Sequence, residues 1–216
     1  MNKGNLFILT IIIASLFSFP LILSTNNRTE MKTDNKSDLL VFPKFKYNRE
    51  NLNPSTPIEI INDTDLLEQA KNSMWKGTGT KTDPVIIENL LFENFQPNLF
   101  NGSRVVEKLS YIKISNVKLN FLIQDNIITA SHANVYGIHI SDSENGIIRN
   151  NLLEYNEIPI FLSDSINFTI KNNVFFPKVV EPFRYFFSNI IDIQGVSNLN
   201  LYNNTLFNVG LNIERS

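Results

Sequence analysis

NFTIKNNVFF, Asn167 to Phe176, alternates apolar and polar residues, breaks at an Asn pair and turns apolar again. Alternation marks a half-buried strand, and Asn tolerates the left-handed backbone conformation that a tight corner needs. The stretch therefore reads as strand, corner, strand. It is also spelled more than once. NFLIQDN from Asn120, NGIIRNN from Asn145 and NLNLYNN from Asn198 are copies, and VIIENLL from Val85 is a degenerate fifth.

The second Asn of the clear copies falls at Asn126, Asn151, Asn173 and Asn204, with separations of 25, 22 and 31 residues. A companion motif runs YIKISN, GIHISDS, PIFLSDS and IIDIQGVS. Its last apolar residue, Ile114, Ile140, Leu162 or Ile193, precedes the matching Asn by 12, 11, 11 and 11 residues. Length variation is thus confined to the return from the Asn to the next strand. A unit of about 22 residues cannot bury its apolar face alone and must stack on copies of itself. The expected fold is all-β: a right-handed parallel β-helix of about four to five coils, since parallel crossovers are almost always right-handed. Ile112/Ile138/Ile160/Ile191 and Ile114/Ile140/Leu162/Ile193 should form inward ladders on one sheet. Ile123/Ile148/Ile170/Leu201 should line a second, and Ile128, Leu153, Phe175 and Leu206 should begin a third. Asn126, Asn151, Asn173 and Asn204 are expected at a left-handed corner, their amides bonding coil to coil as a structural ladder.

The chain's 216 residues are 43% hydrophobic, enough for a core, and carry a net charge of only -2 with scattered basic residues, so nucleic acid is not an expected partner. The absence of cysteine excludes a disulfide framework, a zinc-thiolate site and thiol catalysis. An uncharged apolar run from Leu6 to Leu23 follows Lys3. Residues 1–24 therefore read as an export signal or a membrane anchor, the only membrane contact expected, with the rest of the chain extracytoplasmic. Sequons at Asn27, Asn62, Asn101 and Asn167 fit export. Residues 25–56 read as a polar linker, 57–95 as an N-terminal cap of the solenoid and 96–216 as coils. Within the cap, IEII reads as a short strand, Asp63-Thr64 as the cap of a brief helix through LLEQAKN, WKGTGTKTDP as a glycine-rich turn and VIIENLLF as one strand.

The stretch IEIINDTDLLEQAKNSMWKGTGTKTDPVIIENLLF and the N-x-x-I-x-[ND]-N coils resemble the right-handed parallel β-helix repeat proteins of the pectate-lyase-like superfamily. They most resemble its NosD-like group of exported archaeal and bacterial proteins, whose opening module reads W-x-G-x-G-T-x-x-[ND]-P before an I-I-x-N strand. Trp75, Gly77, Gly79, Thr80, Asp83, Pro84, Ile86, Ile87 and Asn89 fall on that pattern. The resemblance runs from about Pro57 to the C-terminus and implies the fold. It implies little about activity, because the superfamily holds lyases, hydrolases, epimerases, tail spikes and copper-centre maturation factors. Relatives of this kind are usually longer, and GLNIERS reads as the first strand of a further coil, whose open edge could pair with another chain.

Outward residues fall into columns. The first sheet presents Lys113, His139, Phe161 and Asp192 beside Ser115, Ser141, Ser163 and Gln194, and the second presents Gln124, Arg149, Lys171 and Tyr202. Lys113 and Asp192 would lie three coils and ~14 Å apart, too far to act on one bond. The lyases that this chain resembles need an aspartate cluster for calcium and a basic residue, the hydrolases need close carboxylate pairs, and the epimerases carry D-P-H-D; none is present. Asp142 and Asp164 stack at the first corner, where Asp is a natural turn residue, with weak calcium or sugar-hydroxyl binding as the alternative. Copper, the implication of the NosD-like resemblance, wants converging His, Met or Cys; His132 and His139 are separated by a loop, and Met1, Met31 and Met74 lie outside the coils. VFFPKVVEPFRYFF, Val174 to Phe187, carries Phe183 and Tyr185 among its aromatics and reads as a sugar platform, as a docking patch or as cover for one side of the solenoid, and Phe95 to Ser110 has the same ambiguity.

No catalytic residue, metal site or cofactor is expected. Lys113, His139, Phe161, Phe183 and Tyr185 are the candidate ligand contacts. The reading is an exported, non-enzymatic β-helix acting as a cell-surface scaffold or glycan-binding module, with a polysaccharide or a cell-surface protein as partner. The alternatives are a polysaccharide-modifying enzyme of the superfamily and a NosD-like maturation factor for a metalloenzyme.

Overall fold

The computed structural model describes residues 48–93, 109–130, 135–176, 190–207 and 209–214. The signal or anchor at 1–24, the sequons at Asn27 and Asn101, Met1, Met31, His132, Phe183, Tyr185 and most of both aromatic insertions lie outside them. A 3-10 helix, Arg49–Asn51, and β1, Asn53–Pro54, lead into the first coil of β2 (Ile58–Ile60), α1 (Asp63–Asn72), β3 (Val85–Glu88) and β4 (Leu90–Phe92). The second coil is β5 (Leu109–Ser115), β6 (Phe121–Gln124) and β7 (Ile127–Thr129), and the third is β8 (Val135–Ser141), β9 (Gly146–Arg149) and β10 (Leu152–Glu154). The fourth is β11 (Ile158–Ser163), β12 (Ile166–Lys171) and β13 (Val174–Phe176), and the fifth is β14 (Ile190–Gln194), β15 (Ser197–Tyr202) and β16 (Thr205–Leu206), followed by β17 (Gly210–Glu214).

These strands make three parallel sheets. The first runs β2-β5-β8-β11-β14-β17, the second β3-β6-β9-β12-β15 and the third β1-β4-β7-β10-β13-β16. The architecture is a right-handed parallel β-helix. Each inward ladder is in register: Ile114 pairs with Ile140, Ile140 with Leu162 and Leu162 with Ile193. Ile123, Ile148, Ile170 and Leu201 align on the second sheet, and Ile128, Leu153, Phe175 and Leu206 on the third. Most of these side chains belong to one continuous buried core.

The second corner uses two residues per coil. Asn89, Asp125, Asn150, Asn172 and Asn203 take the left-handed backbone, with φ between 54° and 59°. The next residue turns inward, and Asn126, Asn151 and Asn173 are fully buried. Their backbone N–H groups donate to the Oδ1 of Asn151, Asn173 and Asn204 at 3.1, 3.0 and 3.0 Å. Their Nδ2 groups donate to those same Oδ1 atoms at 3.1, 3.0 and 3.0 Å. Nδ2 of Asn126, Asn151, Asn173 and Asn204 also bonds the carbonyl of Ile87, Ile123, Ile148 and Ile170 in the preceding coil. The sequence reading placed the left-handed bend at the second Asn itself. The structure divides the work, because a side chain aimed inward at an amide ladder needs the bend one residue earlier.

Three further readings are corrected. VIIENLLF is two strands, β3 and β4, broken at left-handed Asn89; Leu90 stands where later coils have Asn, and its N–H donates to Asn126 Oδ1 at 3.0 Å. The N-cap of α1 is Asn62, whose side chain accepts from Asp65 N–H, while Asp63 Oδ1 accepts from the Lys118 and Leu119 N–H groups. The stretch 25–56 does not end as a linker, because β1 lies within it and pairs with β4. Between α1 and β3, Gly77 has φ +95°, and a Cβ there would sit 1.8 Å from the Pro84 carbonyl oxygen, so no other residue fits this turn. Among the described residues no helix is long and apolar enough to cross a membrane.

The first corner follows the same logic with serine. Asn116, Asp142, Asp164 and Gly195 are left-handed. After them, buried Ser143 Oγ accepts from Val117 N–H at 3.1 Å, and buried Ser165 Oγ accepts from Ser143 N–H at 3.1 Å. Each hydroxyl donates to the carbonyl two residues back.

The ladder makes a stability prediction. Asn151→Ala removes five side-chain hydrogen bonds from the interior and should cost about 3 kcal/mol or more, because their partners stay buried. Asn204→Ala, at a part-buried position, should cost less. Asn172→Gly should be nearly neutral, whereas Asn172→Ala should cost about 1 kcal/mol for its left-handed backbone. Urea unfolding midpoints at constant m-value check the order.

Candidate functional site

Parallel register turns each outward position into a column along the solenoid. On the first sheet, Glu59 pairs with Lys113, Lys113 with His139, His139 with Phe161, Phe161 with Asp192 and Asp192 with Asn212. Lys113 Nζ donates to Glu59 Oε1 at 2.8 Å. At the other end Asp192 accepts from Gln194 Nε2 at 3.0 Å and Asn212 Nδ2 at 2.9 Å. Both charged members therefore already bond near neighbours, and the Phe161 coil separates the Asp192 carboxylate from His139.

The middle of this face is aromatic. His139 and Phe161 meet edge to face with centroids 5.0 Å apart, and Tyr136 lies 5.0 Å from His139 and 5.4 Å from Phe161. All three are half-buried. Tyr136 was not among the residues singled out from sequence, because strict alternation puts residues three apart on opposite faces. Gly137 lets the strand depart from that rule: a Cβ there would lie 2.5 Å from the Pro159 carbonyl oxygen, so the strand runs close to its neighbour at this point. An aromatic three residues before His139, with glycine after it, was the available signal. Ser110 Oγ lies 3.4 Å from His139 Nδ1 and adds a hydroxyl to the rim. Burial and, secondarily, the Lys113 charge hold the His139 imidazole below its ordinary pKa, so it is a neutral donor and acceptor at pH 7.

Asp142 and Asp164 are exposed at left-handed corner positions, and Asp164 Oδ1 lies over Gly195 of the next coil. Among the described residues no three His, Cys, Asp or Glu side chains gather as a metal-binding group.

The second sheet carries a polar column. Lys76 Nζ donates to Glu88 Oε1 at 2.7 Å, Gln124 Nε2 to Glu88 Oε2 at 2.6 Å and Arg149 Nε to Gln124 Oε1 at 2.8 Å. The bond from Lys76 is the main cause holding the Glu88 carboxyl below its ordinary pKa. Lys171 and Tyr202 continue the column, with Nζ 5.7 Å from the ring centroid.

Two findings come from comparison with known proteins. The sequence profile of a family described as "Periplasmic copper-binding protein (NosD)" matches residues 66–181, just over half of the chain. No curated protein and no solved structure matches the chain.

The state of His139 sets a pH dependence. Its folded-state pKa is depressed, so the unfolded chain binds the proton more readily. The stabilisation is present above the ordinary imidazole pKa of 6.5 and is lost as pH falls below it toward the folded value. His139→Gln should flatten the stability profile in that window. In an NMR titration, Lys113→Met should return the His139 midpoint only part of the way to 6.5, because burial is the larger cause.

Proposed function

Since the chain belongs to the family described as periplasmic copper-binding protein (NosD), we propose that it works outside the cytoplasm as a non-catalytic β-helix that binds glycans on the outward face of its first sheet. The observation that carries this reading is the Tyr136–His139–Phe161 cluster on a rigid sheet face. Sugars present C–H faces to aromatic rings and hydroxyls to polar rims, and here the rim holds Ser110, Lys113 and Ser141. Carboxylate pairing argues against catalysis at this face, since Glu59 and Asp192 are separated in the column by Lys113, His139 and Phe161 and each is already bonded.

Copper, which the family description carries, calls for converging imidazole, thioether or thiolate donors. The described residues do not fit that requirement. His139 is ringed by Tyr136 and Phe161, Met74 is 89% exposed, and the chain has no cysteine. Glycan binding at the first sheet requires no metal.

The test is affinity electrophoresis of the full chain, in neutral detergent, through gels cast with neutral and acidic polysaccharides, with assays for new reducing ends and unsaturated products. Retardation without product, reduced at least about tenfold in affinity by Tyr136→Ala or Phe161→Ala, is the expected result. Product formation would instead identify a polysaccharide-modifying enzyme. Absence of both would leave the scaffold or maturation role.

A further inference from the structure

The outward column of the second sheet holds two cations on adjacent strands. The cation of the first sheet's outward column has a carboxylate, and so do two cations beside the sheets, whereas the exposed Lys71, Lys81 and Lys118, outside the columns, have no ion pair among the described residues. Lys113 bonds Glu59, Lys76 bonds Glu88, and Arg49 bridges Glu93 and Glu154 across the third sheet. Arg149 and Lys171 are directly opposite one another on β9 and β12. Neither has a carboxylate within ion-pair distance among the described residues. Like charges placed opposite each other on neighbouring strands are destabilising, and the chain as a whole is slightly acidic rather than basic.

The surroundings position this pair. Glu88 has both oxygens engaged, by Lys76 and by Gln124. Gln124, only 8% exposed, turns its carbonyl to Arg149 Nε. Arg149 is thus held through Nε, and its two terminal nitrogens remain as donors. Beyond Lys171, Tyr202 is 41% exposed, with its ring beside the ammonium. A guanidinium fork, an ammonium one strand away and an aromatic face follow in sequence along the solenoid axis.

We propose that Arg149, Lys171 and Tyr202 form a binding site for a phosphate monoester carried on a sugar ring, with the phosphate between the two cations and the ring against Tyr202. Two adjacent positive charges are best neutralised by a group with close to two negative charges at neutral pH, which a phosphate monoester has and a carboxylate does not. The site lies on a different sheet from the aromatic cluster of the first and does not depend on glycan binding there.

The experiment is isothermal titration calorimetry of the full chain at constant ionic strength with four probes: α-D-glucose 1-phosphate, inorganic phosphate, glucuronate and glucose. The expected order is glucose 1-phosphate tightest, inorganic phosphate weaker, glucuronate weaker still and glucose without measurable heat. Arg149→Gln and Lys171→Gln should each weaken glucose 1-phosphate binding by about tenfold or more. Tyr202→Leu should weaken glucose 1-phosphate but leave inorganic phosphate unchanged. Lys71→Gln, which removes an exposed cation of α1 that belongs to neither face, should change none of these. Should Arg149→Gln disturb folding through Gln124, the surface change Lys171→Gln decides. No saturable binding of glucose 1-phosphate, binding that survives Lys171→Gln, or glucuronate binding as tight as the phosphate ester would each overturn the proposal.

Discussion

Side-chain amides buried at one corner hold this solenoid together. An amide inside an apolar core must find partners for both its donor and its acceptor, and here every partner belongs to a neighbouring coil or to the Asn's own corner. This requirement ties the Asn of each coil to the same height as the next and leaves little freedom in the path from the first sheet to the second corner. It accounts for the near-constant offset between the two sequence motifs. The return from the third sheet to the first carries no comparable ladder among the described residues, apart from Asn156, whose Nδ2 bonds the Ile128 and Glu154 carbonyls. Insertions of very different length are accommodated there.

The motif N-x-x-I-x-[ND]-N gives its three polar positions three distinct tasks. The first Asn, at Asn145, Asn167 and Asn198, takes positive φ at the start of a strand and forms a second, exposed amide ladder, with Nδ2 of Asn167 and Asn198 donating to the Oδ1 before it at 3.2 and 3.0 Å. The sixth position bends the chain, and the seventh fills the interior. Directionality explains why the first coil can lack the last of these. Each Oδ1 accepts from the preceding coil, and each Nδ2, besides donating forward from Asn126, Asn151 and Asn173, donates to a carbonyl of the preceding coil, so the opening coil has only to offer the Leu90 N–H and the Ile87 carbonyl.

Because the interior is repetitive, individuality lies outside. Each sheet face is a set of columns in which a residue meets its counterparts from adjacent coils at strand spacing. On the first sheet this brings together Tyr136, His139 and Phe161, and on the second Arg149, Lys171 and Tyr202. The two faces differ in chemistry. One is aromatic and nearly neutral, with an imidazole kept uncharged by burial, and the other is cationic, oriented by a chain of hydrogen bonds ending on Glu88.

The sequence by itself determined the coils, the three inward ladders, the register of the outward columns and the resemblance to the NosD-like group. Period-2 patterning and a fixed offset express backbone geometry that repeats in every coil, so they are visible without coordinates. Tertiary structure alone decided how two adjacent polar residues share a corner, that Ser143 and Ser165 mirror the Asn ladder, and that Asn62 rather than Asp63 caps α1. It alone brought Tyr136 to His139 across Gly137, and paired Lys113 with Glu59 while leaving Arg149 and Lys171 side by side with no carboxylate at ion-pair distance among the described residues. Those outcomes depend on where side chains meet between coils that are distant in sequence, and a local pattern carries no record of such contacts.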